Sequence, residues 1–354
     1  MGIADRVKLT DMMRSRGRGV IANLYRMFYL HGPGAGTFLG LPFDQLVEHG
    51  PAHGFKWDRC AEPRSIIELA NRGRFSALVL SVCLAQKYQH DFDHDIPLIV
   101  KLDGHFCIGK ANGANYPRHT MFGSIEDALK VGATAVGLSF YLGSEQTGED
   151  VERVAKIREE AHNNGLPLVL WSYPRGSLFD AIGADSLFAC HYAVSAAESL
   201  GADVVKIKFP SVVKPKQRDE YKKFIKEEYS KKIPEAVRYL ELEPDKEEFA
   251  DYEKKMKEEN KEPNFDSLFD RARHIERAKI VVGAATRTFV IFSGGLRIEE
   301  NPEDALVEST EIIMAADAEG RIVGRNFWGV PIEESLKYAE AVAKVMKRNK
   351  YKRH

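Results

Sequence analysis

Residues 201–210 read GADVVKIKFP. Ala202, Val204, Val205, Ile207 and Phe209 are what the inside of a sheet or barrel selects, so the stretch reads as a buried strand, yet it carries Lys206 and Lys208. An ammonium removed from water costs several kcal/mol unless it is paired or gives up its proton, so lysines in such a strand need a reason. A lone strand-end lysine commonly snorkels to solvent. Two lysines spaced by two on a strand point the same way, which makes one a candidate nucleophile and the other its electrostatic partner.

Working outward, seven more apolar or β-branched runs carry the same signature: GTFLGLPFD (36–44), FSALVLS (75–81), PLIVKLD (97–103), ATAVGLSF (133–140), LPLVLW (166–171), TFVIFSG (288–294) and GRIVGR (320–325). Between them lie stretches of helical period, among them EPRSIIELANRG (62–73), SIEDALKVG (124–132), GEDVERVAKIREEAHNNG (148–165), ACHYAVSAAESLG (189–201) and NPEDALVESTEIIMAADAEG (301–320). Several end in Gly or Asn, as helix C-termini do. Eight strands alternating with helices predict a parallel (β/α)8 TIM barrel rather than an open doubly wound sheet. A short recurring Gly-Ala or Gly-Arg step ahead of strands, as in KVGATAVGL (130–138), SLGADVVKI (199–207) and NRGRFSALVL (71–80), repeats at βα spacing and supports it.

Two regions depart from that plan within what reads as a single barrel domain over 1–354. Residues 1–35 form an N-terminal extension in which ANLYRMFYLHGPGAG (22–36) reads as a helix and a glycine-rich lead-in, suited to capping the barrel base or making a subunit contact. Residues 211–285 are dense in Lys and Glu with interspersed Tyr, Phe, Ile and Leu, the pattern of an ordered helical insertion after the sixth strand, laced by i,i+4 ion pairs.

The 354 residues are 44% hydrophobic and 29% charged with a net charge of −1, which provides no global field for nucleic acid or an anionic membrane. No run approaches the roughly 20 apolar residues of a membrane span, and the N-terminus lacks a signal-peptide pattern, so a cytoplasmic location is expected. Cys60, Cys83, Cys107 and Cys190 form no C-x-x-C pair and read as free thiols.

In a TIM barrel the chemistry sits at the C-terminal ends of the strands. Those ends present Asp44, Lys101 with Asp103, Trp171 with Tyr173, Lys206 with Lys208, Ser293 with Gly294 and Gly295, and Gly324 with Arg325. A desolvated lysine among other cations loses its proton more readily, and its free amine attacks a ketone to form an imine. The protonated imine draws electrons from the adjacent carbon, which allows a C–C bond to be made or broken without a metal or other cofactor. SGGL (293–296) and GRNFW (324–328) follow the seventh and eighth strands, whose loops often bind phosphate, and Arg325 would add a bidentate donor. Tyr173, in WSYPRG (171–176), is placed to relay a proton, and Asp44 to bind hydroxyls or act as a base; the bland alternatives are a rim aromatic and a turn cap. His49 and His53, like His90 and His94, are four apart, a metal-ligand spacing. Pro and Gly around the first pair exclude a helix, and the second lies in a loop ahead of a strand, away from the expected chemistry, so no metal is expected.

The motifs LPFDQLVEHGP, WSYPRG, GADVVKIKFP, SGG and GRNFW, taken together over about residues 34–345, resemble the archaeal-type class I fructose-bisphosphate aldolases, in the wider group that includes deoxyribose-phosphate aldolase. The resemblance implies that Lys206 rather than Lys208 forms the Schiff base, that Tyr173 is the proton donor and acceptor beside Trp171, that Asp44 is the acid ending the first strand, and that Ser293, Gly294, Gly295, Gly324 and Arg325 bind substrate phosphate. Lys208 and Lys101 are secondary candidates. It further implies reversible cleavage of fructose 1,6-bisphosphate to dihydroxyacetone phosphate and glyceraldehyde 3-phosphate in glycolysis and gluconeogenesis, by a homo-oligomer. The alternatives on the same scaffold are a transaldolase-type ketose-phosphate enzyme of aromatic amino-acid precursor synthesis and a thiolase acting on a phosphorylated signalling molecule. A sugar-phosphate binding module is a third, disfavoured because it would have no use for an imine-forming amine. Leu46 stands where the family commonly has Gly, beside Asp44, which bears on substrate identity.

Overall fold

The computed structural model describes residues 16–44, 62–93, 95–105, 119–260, 263–294, 298 and 300–347. Eight parallel strands close a barrel: β1 (Phe38–Phe43), β2 (Ala77–Ser81), β3 (Leu98–Lys101), β4 (Ala135–Leu142), β5 (Leu168–Pro174), β6 (Val204–Ile207), β7 (Phe289–Ser293) and β8 (Gly320–Ile322). Each coincides with one of the eight apolar runs, β4 and β5 continuing past the ends of theirs to Leu142 and Pro174. They read as unbroken apolar stretches rather than alternating ones because parallel strands are covered on both faces, by the barrel interior and by the outer helices. Closure is made by β8 against β1, with Phe38 opposite Gly320 and Gly40 opposite Ile322. That contact joins segments about 280 residues apart, and no local pattern specifies it.

The outer layer includes the helices Pro63–Gly73, Val82–Lys87, Ile125–Lys130, Thr147–Asn163, Leu187–Ser199, Arg271–Val282, Pro302–Ala315 and Ile332–Met346. Ser124 and Asp127 start one of them with a reciprocal capping box, the Ser124 side chain accepting from the Asp127 N–H and the Asp127 carboxylate from the Ser124 N–H. Gly73 is followed by Arg74 in the left-handed region, which turns the chain into β2. A short antiparallel ribbon, Asp103–Gly104 with Thr120–Met121, rises beyond β3.

At the opposite end, the helix Arg18–Tyr25 and the wider turn Arg26–Leu30 send Val20, Leu24, Met27 and Phe28 into the interior beside Phe38, Val79, Ile99, Val169 and Phe289. Phe28 lies 4.6 Å from the Phe289 ring centre and 5.3 Å from that of Phe38. The Asn23 amide donates to the Gly165 carbonyl at 2.9 Å, and the backbones of Gly19 and Gly165 approach so closely that a Cβ at Gly19 would lie 2.8 Å from the Gly165 Cα. Gly165, Asp203 and Asp95 all precede strands, and Arg16 and Arg26 bind the last two, so this segment covers the N-terminal face of the barrel and closes it to water.

Between β6 and the outer helix Arg271–Val282 the chain folds into short helices and the longer helix Lys246–Glu258. Arg271–Val282 packs against Leu187–Ser199 and Pro302–Ala315, so it occupies the ordinary sixth position of the helical ring. The stretch that exceeds the barrel repeat is therefore 211–270. It is pinned by a buried ion pair, Arg277 Nη1 to Glu243 Oε1 at 2.7 Å, with Arg277 Nη2 donating to the Ser211 carbonyl and Glu243 accepting from the Val213 N–H.

Candidate active site

The interior of the barrel turns polar toward the C-terminal ends of its strands. Trp171 and Lys206 are register partners on β5 and β6, and the Lys206 ammonium lies 5.2 Å from the centre of the Trp171 ring and 6.0 Å from that of Tyr173. Trp171 is buried, and its indole fits because Gly137 on β4 has no side chain: a Cβ there would lie 2.4 Å from the Trp171 Cζ3. Burial between these rings lowers the Lys206 pKa to about 8; Asp44 pulls it back up and the Arg325 guanidinium adds to the depression.

Asp44, immediately past β1, sits among cations. Its Oδ2 is 3.9 Å from Lys101 Nζ, and its charge also acts on Lys206, Tyr173 and Arg325. Lys101, at the end of β3, is 1% exposed; burial depresses its pKa, and Asp103 and Asp44 oppose that. With Lys101, Lys206 and Arg325 around Asp44, the mouth of the barrel has a surplus of positive charge that suits a phosphorylated substrate.

Tyr173 lies near the end of β5 close to the Ser293 side chain, and burial raises its pKa above the usual phenol value, so it is a neutral phenol at physiological pH. Arg175 stacks over Tyr173 at 5.5 Å and over Tyr141 at 5.3 Å. Behind β3, Asp103 is fully buried, accepts the Ser139 N–H at 2.9 Å and pairs with Arg153 Nη1 at 2.6 Å. Beside it, burial holds the His119 imidazole neutral, with a pKa down near about 2.

The loops after β7 and β8 are tied together by Asn326: its Oδ1 accepts from the Ile298 N–H at 2.8 Å and its Nδ2 donates to the Gly294 carbonyl at 3.1 Å. Gly294 lies against the backbone of Val323, and Trp328 donates from Nε1 to the Pro42 carbonyl at 3.1 Å, anchoring the Arg325–Trp328 helix to β1.

Asp44, Lys101, Trp171, Tyr173, Lys206, Ser293, Gly294, Gly324 and Arg325 thus converge on one end of the barrel. Lys208 does not join them. It lies past the end of β6, its side chain is 40% exposed, and its ammonium is held by Asp185 Oδ2 at 2.8 Å. The expectation that Lys206 and Lys208 act as a pair is therefore corrected: strand alternation stops at Ile207, and the groups that tune Lys206 are Asp44 and Arg325. Gly295, Leu46, His49, His53, His94, Cys60 and Cys107 lie outside the described residues. Cys83 and Cys190 are free thiols, as expected. Among the described residues no three His, Cys, Asp or Glu side chains are grouped to hold a metal ion, and no helix is long and apolar enough to cross a membrane. Gly137, Arg153, His119 and Asn326 were not found from the sequence, because each acts through a partner on a distant strand or helix. Arg175 lay within WSYPRG and its position beside Tyr173 was the available signal.

Residues 38–329 match the DeoC/LacD family aldolase model, a span that begins at β1, ends after the Arg325–Trp328 helix and includes every strand of the barrel. The chain belongs to the DeoC/LacD aldolase family. The aldolase is 36% identical over 189 residues to the class 1 fructose-bisphosphate aldolase of Thermoproteus tenax, a match covering 53% of this chain and 68% of that one. It is 24% identical over 288 residues, covering 80% of this chain and 71% of the relative, to a Methanocaldococcus jannaschii protein named fructose-bisphosphate aldolase/6-deoxy-5-ketofructose 1-phosphate synthase. Among solved structures, the aldolase resembles an archaeal fructose-1,6-bisphosphate aldolase whose catalytic lysine is covalently bound to the carbinolamine intermediate of the substrate, with a TM-score of 0.66 at 25% identity, covering 93% of this chain and all of that one.

Proposed function

We propose that this aldolase cleaves fructose 1,6-bisphosphate reversibly through an imine on Lys206. The observation that carries the reading is the position of Lys206: a lysine inside a barrel, walled by Trp171 and Tyr173, with its pKa lowered to about 8. The neutral amine attacks the C2 carbonyl to give a carbinolamine, which loses water to the protonated imine. The imine takes up the electron pair of the C3–C4 bond as that bond breaks, while the C4 hydroxyl proton passes to Tyr173, which hands its own phenol proton to the Asp44 carboxylate, and glyceraldehyde 3-phosphate is released. The remaining enamine is protonated at C3, and hydrolysis frees dihydroxyacetone phosphate and the amine.

Tyr173 is the proton relay of this scheme. Its raised pKa keeps it a phenol between these transfers, and it donates to C3 as Asp44 returns the proton. Asp44 offsets the clustered cations and orients substrate hydroxyls. Arg325, with the backbone of Gly294, Gly295 and Gly324 and the Ser293 hydroxyl, receives a phosphate. Trp171 forms the wall against which the imine forms. Lys101 supports Asp44 and contributes positive charge from below.

The double name of the Methanocaldococcus relative favours a second reading on the same lysine, transfer of a ketose-phosphate fragment to another acceptor. Both readings share the enamine and differ in the carbonyl that captures it. A cytoplasmic location, a role in glycolysis or gluconeogenesis and a homo-oligomeric state are parts of the same proposal.

Borohydride reduction with dihydroxyacetone phosphate, with chelator present throughout, followed by peptide mapping, tests it. A reduced adduct on Lys206, absent in Lys206→Met along with turnover, is the expected result. Near-normal activity in Lys206→Met, or activity lost to chelator, overturns it. Assaying fructose 1,6-bisphosphate cleavage against fragment transfer separates the two readings.

A further inference from the structure

The insertion after β6 carries a solvent-open cavity of about 200 Å³ bordered by Arg218, Lys222, Lys246, Asp219, Glu253 and Phe249. Arg218 decides its chemistry. It is 8% exposed, its guanidinium stacks on the Phe249 ring at 4.0 Å, and its Nη1 donates to the Asp245 carbonyl at 3.0 Å. Its Nε and Nη2 are buried without an acceptor. A buried charged donor left unsatisfied destabilises the fold, and in a folded protein such a group calls for an explanation such as an ion or ligand.

Lys222, one turn further along the helix Arg218–Lys223, and Lys246, the first residue of the helix Lys246–Glu258, border the same space. Burial and the charges of Arg218 and Lys246 depress the Lys222 pKa, and Asp219 opposes them. Among the described residues neither lysine takes part in an ion pair within 4.0 Å, although Asp219 and Glu253 stand nearby. Three cations and two carboxylates around one cavity form a mixed recognition surface: an oxyanion for the guanidinium and ammonium groups, and hydroxyl donors for the carboxylates. The cavity has room for a phosphate and a short carbon chain.

We propose that this cavity is a second small-molecule site that binds a phosphorylated polyol or sugar, its phosphate on Arg218, Lys222 and Lys246 and its hydroxyls on Asp219 and Glu253. The site is independent of the imine chemistry. It is linked to the catalytic end of the barrel by short connections: Gln217, next to Arg218, donates from Nε2 to the Asp180 carbonyl at 2.7 Å, in the helix Ser177–Ile182 that follows Tyr173 and Arg175. Glu243 and Arg277 hold the chain leaving β6 at Val213 and Ser211, and Glu243 also acts on the Arg218 charge.

Glycerol 3-phosphate is a suitable probe because it carries a phosphate and hydroxyls but no carbonyl, and so forms no imine. Calorimetric titration is carried out on the intact wild-type chain, on Lys222→Ala/Lys246→Ala and on the single exposed-surface variant Lys246→Glu. The expected result is a binding event in the wild type that weakens at least tenfold in both variants, while their basal aldolase activity is unchanged. A separate event at the barrel mouth, lost in Arg325→Ala, persists in both. Titrations that are the same in the wild type and both lysine variants, including no binding in any of them, overturn the proposal. Failure of the Lys206 reading would appear in the borohydride experiment and leave this result untouched.

Discussion

The Lys206 ammonium lies 5.2 Å from the centre of the Trp171 ring, its register partner on the neighbouring strand. The ring displaces water from one side of the amine and offers in exchange only a weak cation–π attraction, so the balance shifts toward the neutral amine. That amine is the species that attacks a ketone.

The pH dependence of imine formation follows. With a pKa of about 8, roughly one lysine in ten is neutral at pH 7 and most are neutral at pH 9. The rate of borohydride-trapped adduct on Lys206 is therefore expected to rise with pH and level off above an inflection near 8. Asp44 raises this pKa and Arg325 lowers it. Asp44→Asn should move the inflection to lower pH and Arg325→Ala to higher pH. An inflection that stays in place in both variants would show that these charges do not reach the amine.

Gly137 gives the Trp171 indole its room. A methyl there lies 2.4 Å from Cζ3, so Gly137→Ala must displace the ring toward Lys206 or distort β4. Overpacking of this kind costs about 1–3 kcal/mol of stability, and a displacement of about 1 Å at a reacting group can cost up to about 100-fold in rate. We expect kcat to fall at least about tenfold with the fold retained, as read by steady-state kinetics beside circular dichroism.

Arg153 compensates the buried Asp103 carboxylate at 2.6 Å. Removing one member of a buried pair costs about 3–5 kcal/mol, which is the expected loss for Arg153→Ala in denaturant unfolding. The pH dependence has a definite sign. Burial already raises the Asp103 pKa, and losing Arg153 raises it further, so the folded state holds a proton that the unfolded state releases. In the window between the unfolded value near 4 and the raised folded value, stability falls as pH rises. Arg153→Ala should therefore lose less stability relative to wild type at acid pH than at neutral pH, and Asp103→Asn in the same chain should remove that dependence.

Asn326 ties Gly294 to Ile298 through its two amide atoms. Its loss leaves the backbone of the proposed phosphate loop without its tether and touches neither Lys206 nor Tyr173. Asn326→Ala is expected to raise KM for phosphorylated substrates about tenfold with kcat within about twofold, the split expected when binding common to ground and transition states is removed. A fall in kcat at constant KM would place Asn326 in the chemical step instead.

All eight strands, the outer helices at Pro63–Gly73, Thr147–Asn163 and Pro302–Ala315, and the strand-end positions of Asp44, Lys101, Tyr173 and Lys206 were legible in the sequence. These are consequences of local pattern, set by residues within a dozen positions of one another: an apolar run, a helical period, a glycine that ends it. The tertiary structure alone decided that Lys208 turns away to Asp185 while Lys206 stays beneath Trp171, that Asn326 clamps the loop after β7, that Gly137 vacates the space filled by an indole on the next strand, and that Arg218 is buried with donors to spare. The physical reason is that desolvation, charge coupling and steric exclusion are set by whatever is packed within a few ångströms. In a closed barrel those neighbours come from every part of the chain, from β1 to the helix after β8.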